Sequence, residues 1–203
     1  MKTNLIILLI GSLLMSACAS TPSTGDGEKT FGHEFNPDKY NEVVKKWTAK
    51  NIHYSGFYNA YEFHATLLNT EMSEARVRYQ AQYSNWSPEK LNSELAKTQQ
   101  ELNYDTLLFL SFFTPSEKDN NLSKKGSIWT VYLEAGGRRY EGVVLKNTEH
   151  PTELVRLYPY HNRWSTAYSI KFRVPVSVVQ SGATKVTLSG PLGTAEMAFN
   201  KME

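Results

Sequence analysis

The chain has 203 residues, with 22 lysines and arginines against 20 aspartates and glutamates, and one cysteine. Because the formal net charge is only +2 and no run of Lys and Arg reaches five residues, the sequence disfavours nucleic-acid binding. A single cysteine also excludes a disulfide within the chain and a metal site built from several thiolates, so the fold has to be held together by packing.

The chain begins with the pattern of an export signal and not with that of a membrane-spanning helix. Lys2 precedes an apolar run over residues 5–14, which is too short to cross a bilayer. Small residues follow this run, as they do before a cleavage site. The cysteine ends the sequence Leu14-Met15-Ser16-Ala17-Cys18.

This five-residue sequence resembles the lipobox of bacterial lipoproteins. The resemblance implies that residues 1–17 are a signal peptide, that the sulfur of Cys18 carries a diacylglyceryl group, and that the new amine is acylated. Two or more acyl chains hold a protein firmly on a membrane. Ala19 stands where an aspartate would resemble an inner-membrane retention signal, so the resemblance implies the outer membrane, facing the periplasm. An ordinary secretory signal with an accidental cysteine is the alternative.

The remainder of the chain divides into a tether and one globular domain. Residues 18–34 are small, polar and rich in Gly and Pro, so they cannot bury enough apolar area to order themselves and predict a flexible tether. Residues 35–203 are long enough to bury a stable core and predict a single domain.

The first half of this domain predicts one helix, one strand and a helical insertion. Asn36 and Pro37 are a cap and a first helical residue, and they begin a helix predicted over residues 37–49. Aromatic residues alternating with polar ones predict a half-buried strand over residues 54–68. Residues 70–102 then predict two helices.

Residues 104–200 are predicted to be rich in β-structure. Residues 106–114 form a nearly continuous apolar run typical of a central strand, and Gly136-Gly137 is a hairpin signal. Further strands are predicted over residues 153–158, 167–176 and 185–189. The fold class is therefore mainly β with helical additions: an antiparallel β-sandwich, similar to immunoglobulin-like domains in architecture only, with the helices inserted between its first two strands.

Two patterns that could carry chemistry are incomplete. Ser87-Pro88-Glu89-Lys90 resembles the Ser-x-x-Lys motif of penicillin-binding proteins, but the companion motifs Ser-Asp-Asn and Lys-Thr-Gly are missing, so a helix cap is the favoured interpretation. Glu62 and His64 share one side of a predicted strand, without a third metal ligand. The sequence predicts no catalytic residue, no metal and no cofactor.

The most unusual segment is residues 157–168, in which aromatic residues gather in a predicted loop. One interpretation is a recognition surface, since Tyr, Trp and Arg dominate interface hot spots. The other is a loop that folds back and plugs the end of the sandwich. In that case Tyr160, His161 and Arg163 are expected to remain exposed. The candidate binding surface is Tyr158, Tyr160, His161, Arg163 and Trp164.

A second candidate surface is the charged loop over residues 115–126, which is expected to be mobile. Together these features favour a non-enzymatic, membrane-anchored envelope lipoprotein. It would bind another envelope component, with a protein as the favoured partner, through loops at one end of the sandwich. One alternative is a lipoprotein that binds a glycan or a lipid-like ligand on the aromatic segment. The other alternative is a hydrolase, which needs a nucleophile beside His64 or His161.

Overall fold

A computed structural model describes residues 36–199, so the predicted signal peptide and the whole of the predicted tether, including Cys18, lie outside the described residues. This part of the chain forms eight strands: β1 Thr48–Ser55, β2 Tyr58–Leu68, β3 Thr106–Phe113, β4 Thr130–Ala135, β5 Arg138–Lys146, β6 Thr166–Phe172, β7 Thr184–Gly190 and β8 Gly193–Phe199. It also forms five helices: α1 Pro37–Lys46, α2 Thr70–Tyr83, α3 Pro88–Leu102, α4 Pro151–Leu157 and α5 Val176–Gln180. Between residues 36 and 199, no helix has the length and apolar character needed to cross a bilayer.

The eight strands form one antiparallel sheet in the order β1-β2-β3-β6-β5-β4-β7-β8. The two end strands, β1 and β8, lie against each other, so the sheet is nearly closed into a barrel-like shape. The prediction of a mainly antiparallel β fold with helical additions is confirmed.

The start of the sheet differs from the prediction. Helix α1 ends at Lys46, where the Trp47 amide donates to the carbonyl of Val43, and β1 begins at Thr48, inside the predicted helix. Strand β1 hydrogen-bonds to one neighbour only and has no fully buried residue, so it shows little of the alternation that identifies a half-buried strand. The predicted strand over residues 54–68 therefore contains a hairpin turn, and the helical insertion lies between the second and third strands.

Helix α4 occupies a segment predicted to be a strand, and α5 begins at Val176, the last residue of another predicted strand. Pro151 stands at the first helical position of α4, and the His150 side chain accepts a hydrogen bond from the Thr152 amide at 3.3 Å. Leu154 and Leu157, three residues apart, then point into the same apolar cluster. Tertiary packing at helical spacing thus overrides the β-propensity of this short segment.

Each face of the sheet packs against a different set of residues. The inner face encloses the main core, which includes Phe63, Leu110 and Val186. The outer face of β2, β3 and β6 is covered by α1, α2 and α4 through a second apolar cluster that contains Tyr40 and Phe109. This second cluster also holds the start of the aromatic segment and so positions the candidate site.

Candidate functional site

The loops that the sequence singles out lie at one end of the sheet. Strand register fixes this end through a row of residues paired across β1, β2, β3 and β6: Asn51, Phe63, Phe112 and Thr166. The turn between β1 and β2, the segment after β3 and the segment before β6 all lie beyond this row. We call this the hairpin end of the sheet; it brings together the first hairpin, residues 114–127 and residues 158–165.

Tyr158 and His161 belong to the interior. The Tyr158 ring stacks on Phe109 with centroids 3.6 Å apart, and Nδ1 of His161 shares a 2.8 Å hydrogen bond with the Ser111 hydroxyl. His161 is only 8% exposed, so the expectation that it remains on the surface is wrong. Burial lowers the pKa of its imidazole. Phe109 and Ser111 lie on the outer face of β3, and the aromatic segment covers them.

Tyr160 is partly buried, and contacts to both its hydroxyl and the face of its ring hold it in place. Its hydroxyl shares a short hydrogen bond with the hydroxyl of Thr66, which in turn bonds to that of Thr48 at 2.7 Å. The ring stacks on His64, with centroids 5.1 Å apart. Burial raises the pKa of the phenol well above its ordinary value, although the hydrogen bond with Thr66 opposes this shift. Tyr160 therefore serves to fasten the segment to β2.

Arg163 and Trp164 are the part of the candidate surface that remains in water. Trp164 is 67% exposed, and the guanidinium of Arg163 lies over its indole ring at 4.5 Å from the centroid. The turn that presents them is closed by Asn162, whose side-chain oxygen accepts from the Trp164 amide at 2.9 Å. The five predicted residues therefore divide into a packed group of three and an exposed pair.

The charged loop at the hairpin end is tied to the sheet. The Asn120 amide nitrogen donates to the Thr166 hydroxyl at 2.9 Å, and its oxygen accepts from the Tyr168 hydroxyl at 2.7 Å. Leu122 is buried in the main core. These contacts argue against the expected mobility of residues 115–126. The loop still exposes three lysines, Lys118, Lys124 and Lys125.

Two histidines have the neighbours that a hydrolase would need. His161 contacts Ser111, and Nε2 of His64 lies 2.7 Å from a carboxylate oxygen of Glu62, which also pairs with Lys50 at 3.4 Å. Burial alone would raise the pKa of Glu62, but the hydrogen bond with His64 and the charge of Lys50 produce a net lowering. Ser111 is only 1% exposed, so a substrate could reach its hydroxyl only after surrounding side chains moved.

The Ser-x-x-Lys motif forms a helix cap. Ser87 is the N-cap of α3 and accepts a hydrogen bond from the Lys90 amide at 3.3 Å. The Lys90 ammonium lies over the ring of Trp86, 4.3 Å from the centroid. Within residues 36–199, no group of three or more His, Asp and Glu side chains is placed to hold a metal ion.

Three clefts lie away from the aromatic segment. One of about 940 Å³ is formed by the β4–β5 turn, the start of β7 and the end of β8, and includes Arg138 and Lys185. Two others, of about 190 and 220 Å³, lie beside α2 and α3. None of the three is lined by a residue of the aromatic segment, so none of them offers the concave ligand site that the small-ligand alternative needs.

The structure also exposes three aromatic residues that sequence reasoning assigned to a half-buried strand. Phe57 lies in the turn between β1 and β2, Tyr54 and Tyr58 lie on either side of it, and all three are exposed to water. Gly56 in this turn has a φ of 61°, a left-handed conformation that favours glycine. Ser55-Gly56, between two aromatic runs, was the available sequence signal of a turn.

Searches with protein-family models, against curated proteins and against solved structures found no match to this chain.

Proposed function

We propose that this protein is a non-enzymatic bacterial envelope lipoprotein that binds another envelope component, a protein, through loops at the hairpin end of its sheet. In this proposal, lipid on Cys18 anchors it in the outer membrane, with the domain facing the periplasm. The observation that carries the binding role is the exposed pair Arg163 and Trp164, stacked at 4.5 Å. Trp and Arg are the residues most enriched in interface hot spots.

The pair is held in place before any partner arrives. Tyr158 and His161 are buried beside β3, and the Asn162 side chain closes the turn that carries Trp164. A side chain presented from a rigid base loses less conformational entropy on binding than one on a mobile loop. An indole that stays largely in water in the free protein also gains apolar burial when a partner covers it.

The anchor is supported by the sequence Leu14-Met15-Ser16-Ala17-Cys18, which resembles a lipobox. No other cysteine is present, so lipidation of Cys18 would leave the mature chain without a free thiol. The predicted tether, residues 18–34, would keep the domain close to the membrane, since a flexible chain of that length spans about 20–25 Å on average. An envelope partner is therefore the class of protein that the domain would meet.

For the architecture, we infer a single curved sheet in place of the two facing sheets of an immunoglobulin-like sandwich. The unbroken strand order from β1 to β8 supports this, as does the position of β1 against β8.

The test is crosslinking in the native cells, followed by pull-down of the detergent-extracted, lipidated protein. The double variant Arg163→Ala, Trp164→Ala should lose the crosslinked partner and keep the circular dichroism spectrum of the parent. Tyr104→Ala is the matched control, because Tyr104 is as exposed as Trp164 but lies before β3, at the other end of the sheet. Retention of the partner by the double variant would contradict the proposed binding surface.

A further inference from the structure

The tip of the first hairpin is an unusual apolar projection. Phe57, in the turn itself, is 102% exposed, which means that it contacts almost nothing else in the protein. Tyr54 and Tyr58, on either side of the turn, are also largely exposed. We call these three residues the aromatic tip. Exposed apolar patches of this kind mark surfaces that interact with a membrane or with another molecule.

The aromatic tip carries no charge. The segment from residue 51 to residue 61 contains no Asp, Glu, Lys or Arg, although a fifth of the chain is charged. The first charged residues on either side are Lys50 and Glu62, which form an ion pair with each other at 3.4 Å. The tip can therefore leave water without removing a charged group from its hydration shell, which would be costly.

The two loops that lie at the same end of the sheet as the tip carry more basic than acidic residues. The loops that share the hairpin end expose four cationic side chains, and within residues 36–199 none of the four forms an ion pair. Two acidic residues, Glu117 and Asp119, lie among them. An excess of positive charge beside an apolar tip matches a surface of anionic lipid headgroups. The four are Lys118, Lys124, Lys125 and Arg163.

We propose that the aromatic tip inserts into the boundary between headgroups and acyl chains of the bilayer that holds the Cys18 anchor. The lysines of residues 115–126 then face anionic headgroups, and Arg163 and Trp164 stay available to the protein partner. Tyr is enriched at this depth because its ring is amphipathic, and Phe is typical of the buried face of interfacial segments. The inference rests on the proposed anchoring, and it adds a second contact that orients the domain on the membrane.

The geometry allows both contacts at once. Seventeen residues lie between Cys18 and Asn36, and the eighteen Cα–Cα steps that join the two residues span at most about 60 Å. Helix α1 is about 15 Å long and β1 about 26 Å, so the tip lies at most about 45 Å from Asn36. The tether can therefore reach the same membrane surface that the tip touches.

A bilayer fits the shape of the tip better than a protein does. Phe57 in the turn is fully exposed, so it projects from the hairpin and forms no pocket that could receive a partner's side chain. Lipid chains, in contrast, close around a convex apolar projection without needing a complementary pocket.

The experiment uses the full-length, lipidated protein in vesicles of phosphatidylethanolamine and phosphatidylglycerol at a ratio of 3:1. With Cys18 blocked by lipid, Ser55→Cys gives one thiol at the tip, which takes an environment-sensitive NBD fluorophore. Its emission should shift to the blue on reconstitution and be quenched by lipids brominated on the upper acyl chain. Ala183→Cys, exposed in the connection before β7 at the other end of the sheet, is the matched control and should show neither change.

A triple variant, Tyr54→Ser, Phe57→Ser, Tyr58→Ser, in the Ser55→Cys protein should lose the blue shift while remaining bound to vesicles through its lipid. A tip probe that stays in water in the anchored parent overturns this inference alone. Failure of the protein to float with vesicles, with an unmodified Cys18 by mass spectrometry, overturns the proposed anchoring instead. A blue shift in the Ser55→Cys protein that also carries Cys18→Ser, measured in buffer without vesicles or detergent, would show that a protein surface covers the tip, and this outcome also overturns the inference.

Discussion

The ring of Tyr158 lies parallel to that of Phe109, within 2° and with centroids 3.6 Å apart. This contact joins the aromatic segment to the third strand, 49 residues earlier in the chain. Burial raises the pKa of the Tyr158 phenol to about 12, so the group is neutral at physiological pH. Tyr158 is thus one of the residues that hold the aromatic segment against the sheet, whereas Arg163 and Trp164 of the same segment face water.

The first prediction compares one residue from each group. Tyr158→Ala removes a buried ring and should lower the free energy of unfolding by about 3–5 kcal/mol. Trp164→Ala removes an exposed ring and should change it by less than about 0.5 kcal/mol. Urea denaturation of both variants measures the two effects. Equal losses would mean that Trp164 also packs against the domain.

The second prediction concerns the pH dependence of His161. Burial places its folded-state pKa below the value of about 6.5 that applies to the unfolded chain. The unfolded state therefore binds the proton first, and stability falls as the pH decreases below about 6.5 towards the folded-state pKa. The slope is at most about 1.4 kcal/mol per pH unit.

The matched variant for this pH dependence is His161→Gln, which keeps an acceptor for the Ser111 hydroxyl but does not titrate. Urea denaturation at pH 7.5, 6.5 and 5.5 should show the decrease in the parent and a weaker one in the variant. Parallel profiles for the two proteins would show that His161 gains its proton equally in both states.

The third prediction tests how tightly β5 packs against the side chains of β6 in the main core. A Cβ atom at Gly142 would lie 2.7 Å from the Ile170 side chain and 2.8 Å from the Phe172 ring, and both of these residues are fully buried. Gly142→Ala should therefore lower the free energy of unfolding by about 1–3 kcal/mol.

Gly182→Ala is the control for this overpacking, since a Cβ atom there meets no other atom within 4 Å. Its stability should remain the same or rise by up to about 1 kcal/mol, because alanine restricts the unfolded chain. Thermal unfolding of the two variants gives the comparison. A stable Gly142→Ala protein would mean that β5 and β6 can separate slightly without cost.

The fourth prediction concerns the anchor. Mass spectrometry of protein isolated from its own membranes should find a chain that begins at Cys18 and carries two or three acyl chains. Cys18→Ser should move the protein from the membrane fraction to the soluble fraction, because the apolar contact of the lipid is lost. A soluble parent protein that retains residues 1–17 would contradict the lipobox interpretation.

Local features were predictable from the sequence. Asn36 and Ser87 cap α1 and α3 as expected, since a capping side chain bonds to an amide only two or three residues away. Gly136-Gly137 makes the β4–β5 turn, and the apolar run at the third strand lies in the middle of the sheet. Each of these depends on residues that are close together in the chain.

The tertiary structure alone decided which aromatic residues face water. Tyr158 and His161 are buried because Phe109 and Ser111 lie beneath them, and Tyr54, Phe57 and Tyr58 are exposed because the hairpin extends beyond its neighbours. The buried and the exposed residues are of the same aromatic types, and their neighbours in the sequence are similar. Its exposure depends on contacts formed by distant strands, and only the folded sheet brings those strands together.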